Sequence, residues 1–261
     1  MNKFLNLALI AAAGLSLSSC GKTNSDLQKV ADRNVIYVGI TIYEPMDYFG
    51  EDGETIVGFD ADLANEFAKS VNASAKFIPI SWDSKVLELD GGFIDLIWNG
   101  MTASDELGEK IDFSLPYATN FQCVVTKNVT GYTDISSLDN KNIVVEQGSA
   151  GDNSLKEVNA RINRVNSQLD ALNEVLAGTS DCCVIDYTMA YNLVGKGSYQ
   201  NLAIVNSDVI SFDKEVFAVG LRKSSDLKEK LDEFLKTSYT NGTLNRLAEL
   251  YGVAINEEAF K

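Results

Sequence analysis

The chain has 261 residues, 45% hydrophobic and 23% charged, the balance of an ordinary globular protein with a core to bury. That length suits one large domain or two of about 100–150 residues. Lys+Arg number 22 against 37 Asp+Glu, a formal net charge of −15 that repels a phosphate backbone and sets nucleic-acid binding aside. There is no His, which removes Ser-His-Asp and Cys-His catalysis and imidazole metal ligation, so neither metal nor cofactor is expected.

The first elements are an export signal and a spacer. Met1-Asn2-Lys3 supplies a short positive start, and 4–17 is apolar apart from Asn6, Gly14 and Ser16. That run is shorter than the ~18 residues of a spanning helix. It ends in Leu17-Ser18-Ser19-Cys20-Gly21, which is similar to a lipobox, where the Cys is lipidated and becomes the mature N-terminus. An incidental Cys20 behind a plain cleaved signal is the competing reading. Residues 1–20 are assigned to a lipoprotein signal peptide and the polar stretch 21–32 to a tether. Cys123, Cys182 and Cys183 remain, an odd set that cannot pair fully. Cys182 and Cys183 adjoin in a strand pattern and so point to opposite faces. Buried free thiols are expected, with a bridge from Cys123 as the alternative; the spacing fits no zinc pattern.

Short apolar runs then alternate with helical patterns, which predicts βαβ units around mainly parallel sheets. Val35-Ile36-Tyr37-Val38-Gly39-Ile40 is a strand. A turn over 51–54 precedes Ile56-Val57-Gly58-Phe59, and Asp60 is a candidate N-cap for a helix marked by Leu63, Phe67, Ala68 and Val71. Residues 76–80 read as a strand, 84–89 as a short helix and 94–98 as a strand. Beyond Pro116, strands are expected at 123–125, 143–145, 181–186 and 217–219. Helices are expected from about Asn153, through Leu169, Leu172 and Leu176 to a stop at Gly178, over 188–194, and twice in the C-terminal fifty residues or so.

Five stretches, taken in order, carry a resemblance. They are Tyr43-Glu44-Pro45-Met46-Asp47 with Gly58-Phe59-Asp60-Ala61-Asp62-Leu63-Ala64; Trp82-Asp83 with Gly91-Gly92-Phe93-Ile94-Asp95; Asn99-Gly100-Met101-Thr102 with Ile111-Asp112-Phe113-Ser114-Leu115-Pro116-Tyr117; Val145-Glu146-Gln147-Gly148-Ser149-Ala150-Gly151; and 181–186. Together they resemble the polar amino-acid-binding family of bacterial solute-binding proteins. The resemblance implies an α/β, two-lobed periplasmic-binding-protein fold with two crossover hinge strands. Lobe 1 would be 33–119 plus 213–261 and lobe 2 would be 120–212, with hinges near 118–121 and 210–214. It further implies a small polar or amino-acid-like ligand, an ABC transporter permease as partner, a membrane anchor through Cys20, and a monomer.

Site residues follow from that alignment. The turns Gly100-Met101-Thr102 and Gly148-Ser149-Ala150 would each offer backbone amides to a ligand carboxylate, one from each lobe. Asp186 would accept the ligand's ammonium, and Tyr43 would cover its side chain, with Met46, Trp98 and Asn99 flanking the cleft. Each has a plainer alternative: Asp186 as a helix cap, Tyr43 and Trp98 as core, the glycines as turn formers. The pattern breaks at one position. Relatives carry an Arg five residues after the Thr, where it forks onto the carboxylate; here that position is Leu107. A charge-assisted bond is worth ~1.5–3 kcal/mol, so binding of an ordinary amino acid would weaken by about 10- to 100-fold. Either the ligand lacks a free carboxylate, or Lys110 supplies the charge, or binding is weak or lost; a functional binder with altered specificity is the expectation, because Asp186 and both anion turns survive. Two other functions stand beside transport. One is an enzyme like the cyclohexadienyl dehydratases on the same fold, with Glu44, Asp47 or Asp186 as acid. The other is a ligand-sensing receptor subunit.

Overall fold

The computed structural model describes residues 25–261. The signal peptide, Cys20 and the first part of the tether lie outside the described residues. The described chain opens with a correction to the tether. Helix α1 (Asp26–Arg33) occupies most of it, capped by Ser25, whose hydroxyl accepts from the amide of Gln28. Val30 is fully buried, the Asp26 carboxylate pairs with Arg222 at 3.0 Å, Arg33 pairs with Asp95, and the Leu27 amide donates to Asp226, so a polar-looking segment is fastened to the body by an apolar anchor and largely buried polar contacts.

Strands β1 (Val35–Ile40), β2 (Tyr48–Phe49) and β3 (Ile56–Val57) lead to helix α2 (Phe59–Ser70), whose N-cap is Gly58 and not Asp60. There follow β4 (Ser74–Pro79), α3 (Lys85–Asp90), β5 (Leu96–Ile97), α4 (Asp105–Lys110) and β6 (Asp112–Phe113). The chain then runs through β7 (Ala118–Thr126), β8 (Asn142–Glu146), α5 (Ala150–Ser154), β9 (Arg161–Val165), α6 (Gln168–Ala177), β10 (Cys182–Asp186), α7 (Tyr187–Leu193) and β11 (Ala203–Ile204). It ends with β12 (Lys214–Phe217), β13 (Gly220–Leu221), α8 (Leu227–Thr240) and α9 (Thr243–Tyr251).

Among the described residues two larger sheets form, one per lobe, beside a two-stranded β2-β3 pair. The first has the order β4-β1-β5-β13-β6, the second β11-β7-β10-β8-β9. Both are mixed where mainly parallel sheets were expected: β1 is parallel to β4 and β5, and β8 to β9 and β10, while β7, β11 and β13 run antiparallel to their neighbours. The antiparallel pairs arise because the chain crosses between lobes and returns. Strand β13 comes back into the first sheet after the whole second lobe has been built.

The crossings are β7 and β12, paired antiparallel from Lys214↔Phe121 to Phe217↔Ala118. The second crossover thus lies beyond the expected 210–214, because Ile210 is spent in the core of the second lobe. The predicted strand over 217–219 is likewise split: β12 ends at Phe217, and Ala218 bonds to Met101 before β13 begins.

Period-two burial explains both faces of the second sheet. Cys183, Val125 and Ile185 enter one apolar cluster, while Cys182, Val124 and Val184 enter another, so the adjacent cysteines do face opposite ways. Cys123, Cys182 and Cys183 are all buried free thiols. In the first lobe, Phe67 of α2 lies 6.2 Å from the ring of Trp98 and 5.5 Å from Phe234 of α8, tying the C-terminal helices to the first sheet.

Candidate functional site

The strands end at a gap between the sheets, and the backbone explains which residues reach it. Gly148 follows β8 with φ +70°, and a Cβ there would sit 2.8 Å from Asp83 Oδ1 of the first lobe, so only glycine lets the two lobes meet here. A larger cavity of about 610 Å³ in the gap is lined by both lobes, including Lys85, Thr102, Leu107, Ala150 and Glu215. An inner pocket of about 20 Å³ is lined by Tyr43, Trp82, Asn99, Gly100, Thr102, Glu146, Ser149, Ala150, Gln168 and Asp186. That volume admits a group the size of a water or an ammonium. Trp82, Thr102 and Ala150 line both, so the two spaces adjoin.

Asp186 ends β10 and sits opposite Gln122 in the ladder, while Glu215 of β12 sits opposite Asn120. Residues 120 and 122 share one face of β7, so their amides reach both acids at once. Asn120 donates to Asp186 at 2.6 Å and to Glu215 at 3.2 Å; Gln122 donates to them at 2.7 Å and 3.0 Å. Gln168 at the start of α6 donates to the second oxygen of Asp186 and accepts from its backbone N–H. Asp186 makes no side-chain cap to α7, so the capping alternative falls. Burial, and then the charge of Glu215, pushes its pKa up to about 6. Glu146 at the end of β8 is 2% exposed with one oxygen unpartnered, and burial followed by the charge of Asp186 raises it to about 8. The Tyr43 hydroxyl in the same pocket also lacks a partner.

The first-lobe turn is different. The amide of Gly100 donates to Asp60 at 2.6 Å, and Tyr117 donates to the same oxygen at 2.9 Å. Asp60 is therefore an internal strut whose burial lifts its pKa to about 7. Asn99 spends its side chain on Thr41, accepting from its N–H and hydroxyl and donating to its carbonyl, and on Asp47 at 2.7 Å. No helix follows Thr102 directly; Ser104 caps α4, so the expected anion turn at 100–102 has lost its first amide and its helix. Thr102 instead donates to Glu215 at 2.9 Å. Met46 and Trp98 are fully buried in the first-lobe core and line neither cavity.

At the second-lobe turn the Ser149 hydroxyl accepts from Asp152 N–H, and the first-turn amides of Ala150 and Gly151 have no partner inside the helix. Leu107 lines the larger cavity, but Lys110 does not, and it pairs with Glu106 at 3.1 Å on the exposed face of α4. Lys110 therefore does not supply the missing cation. Lys85, which the sequence reading did not single out, is the one cation among the described residues that lines either cavity. Glu146, Glu215, Asn120, Gln122 and Gln168 were also missed. Buried amide side chains at 120 and 122, alternating with Phe121 and Cys123, are the signal that marks this face.

A two-lobed body with its ligand space between sheets joined by two crossover strands defines a solute-binding protein. The family of bacterial extracellular solute-binding proteins, family 3, matches residues 36–254, and the chain belongs to it. Its curated relatives include an arginine-binding extracellular protein of Bacillus subtilis, ArtP, 27% identical over 95% of this chain and 96% of that one. Among solved structures, a substrate-binding protein of an ABC uptake transporter from Streptococcus pneumoniae with bound histidine is 30% identical with a TM-score of 0.79. The match covers 87% of this chain and 96% of that one. An ancestral amino-acid-binding protein, AncCDT-1, a precursor of cyclohexadienyl dehydratase, also has a TM-score of 0.79 at 27% identity, over 87% and 99% of the two chains. No helix among the described residues is long and apolar enough to cross a membrane.

Proposed function

We propose that this protein captures a small amino-acid-like solute by its ammonium group in the gap between lobes and delivers it to an ABC importer. The observation that carries the reading is the inner pocket, where Asp186 and Glu146 are buried together beside the unpartnered Tyr43 hydroxyl. Two carboxyl groups in one small space repel each other when ionised, and an ammonium relieves that repulsion. The rest of the solute occupies the larger cavity, where Leu107 stands in place of the usual guanidinium and changes which solutes fit. Because both lobes line these spaces, the solute favours the closed arrangement over one hinged open about β7 and β12. Lobe 1 is taken as 33–119 plus 213–261 and lobe 2 as 120–212, and a lipid on Cys20 keeps the monomer at the membrane near its permease.

Calorimetric titration with the common amino acids and their decarboxylated amines tests the reading. Binding that needs a free amino group is expected; tight binding of an N-acetylated amino acid overturns it. Incorporation of labelled palmitate, lost on Cys20→Ala, tests the anchor.

One observation favours a second reading. Glu146, held near 8, keeps its proton at neutral pH, as a dehydratase acid must. Loss of water from a cyclohexadienyl acid, followed by mass spectrometry, decides between capture and chemistry.

A further inference from the structure

Lys85 is an ammonium that the protein leaves without a counter-ion. It opens α3 in the first lobe and is 5% exposed, yet its Nζ donates only to the carbonyls of Trp82 at 3.0 Å and Gly148 at 3.1 Å. The Trp82 ring lies beneath it, 4.8 Å from Nζ. Glu146 and Asp83 are near enough for their charges to be felt, but neither makes a salt bridge with it. Two of its three protons are used, and the side chain lines the larger cavity with Thr102, Leu107 and Ala150. A buried cation whose hydrogen bonds go only to carbonyls is costly, and the cost falls when an anion completes its shell.

We propose that Lys85 is the anion anchor of this cleft: it receives the carboxylate of the solute, the role the resemblance assigns to an Arg at position 107. This deepens the reading above and rests on it. The solute then spans the two adjoining spaces as a zwitterion. Its ammonium lies among Asp186, Glu146 and Tyr43, and its carboxylate against Lys85. The Lys85 ammonium also bridges the lobes through Gly148, 63 residues away, so anion capture and closure meet at one atom. Lys is a point charge rather than a planar fork, so this anchor sets less stereochemical demand on the carboxylate than Arg does. Single anionic groups of other shape fit it as well.

The test compares matched pairs, L-arginine with agmatine and L-histidine with histamine, on the native protein and on Lys85→Met and Lys85→Arg, each checked for an unchanged melting profile. The native protein should prefer the amino acid of each pair. Lys85→Met should weaken the amino acid about 10- to 100-fold while moving the amine less than about threefold, and Lys85→Arg should restore most of the loss. A purely structural latch would weaken both members equally, and that result overturns the anchor while leaving ammonium capture intact. If neither member of either pair binds the native protein, anchor and capture fail together. A second readout covers a native protein that binds the amino acids alone: the Lys85 ammonium, pushed down to about 8 by burial, should titrate higher when L-arginine is present, followed by the NMR shift of its ε-carbon. An unmoved titration overturns the anchor.

Discussion

On the first lobe the turn through Asn99 and Gly100 directs its polar groups inward, to Thr41, Asp47 and Asp60. On the second lobe Glu146 keeps an oxygen unpartnered in the inner pocket, and Asp186 is held there by three side-chain amides. The strand ends that face the gap from the two lobes thus divide the labour. One is a rigid wall and the other presents charge. The difference is set by what lies behind each. Behind the first are two buried carboxylates, Asp47 and Asp60, that need donors. Behind Asp186 are neutral amides, two of them shared with Glu215, that supply donors without cancelling its charge.

The sharpest way to break this division is to remove charge from the presenting side. Asp186→Asn keeps the shape and the hydrogen-bonding size but cannot neutralise an ammonium. It is expected to weaken capture of an amine-bearing solute by about 100-fold or more, read by calorimetry on protein shown to be folded. A loss of less than about threefold would mean the ammonium lies elsewhere.

The wall should behave in the opposite sense. Asn99→Ala leaves Thr41 and Asp47 without their partners in a buried site and should cost about 2–4 kcal/mol of stability in urea unfolding. Among molecules that remain folded, affinity should shift much less than in Asp186→Asn. Equal loss of affinity in both variants would erase the distinction between wall and charge.

The buried acids also give the contrast a pH signature. Burial raises Glu146 from 4.5 to about 8, Asp186 from 3.8 to about 6 and Asp60 from 3.8 to about 7. Across that window the native state holds protons that the unfolded chain has released, so stability falls as pH rises through it. Without ligand, the melting temperature should therefore drop between the unfolded value of 4.5 and the folded value of about 8 for Glu146, and Glu146→Gln should flatten the upper part of that drop. A melting temperature that rises with pH over the same range would contradict the assignment. Added ammonium ligand should restore stability most at the alkaline end, where the acids it pairs with are ionised.

Much of the scaffold was legible because its signals are local. The runs that became β1, β8 and β10 are dense in Val and Ile, and α6 carries both Ser167 at its start and Gly178 in the left-handed region at its end. Of the site, Asp186, Tyr43, Ser149 and Ala150 were placed by the family resemblance and do line the inner pocket, whereas Met46 and Trp98 went to the core. The remainder depends on partners far along the chain. Helix α1 reads as a polar spacer until Arg222, 196 residues away, meets Asp26. Lys85 reads as a solvent-facing lysine on a short helix until Gly148 closes over it. Asn120, Gln122 and Glu215 come together only through the register of β7 with β12, which no local pattern encodes.

Position 107 allows the comparison to be sharpened from the other direction, by giving the wall a charge of its own. Leu107 sits in the first turns of α4, with its amide accepted by Ser104, and its side chain lines the larger cavity beside the space Lys85 reaches. Arg suits a helix nearly as well as Leu and is only partly buried at such a site, so Leu107→Arg should fold normally. Two cations would then face one carboxylate, and the guanidinium would add a planar fork that the ammonium lacks. Affinity for L-arginine or L-histidine should tighten about tenfold, while agmatine and histamine should bind unchanged or more weakly against the added positive charge. The gain should be larger in a Lys85→Met background, because the fork then supplies the only cation at the anion end. Equal tightening in both backgrounds would mean that the two positions act on separate parts of the solute, and no tightening in either would place the carboxylate away from α4.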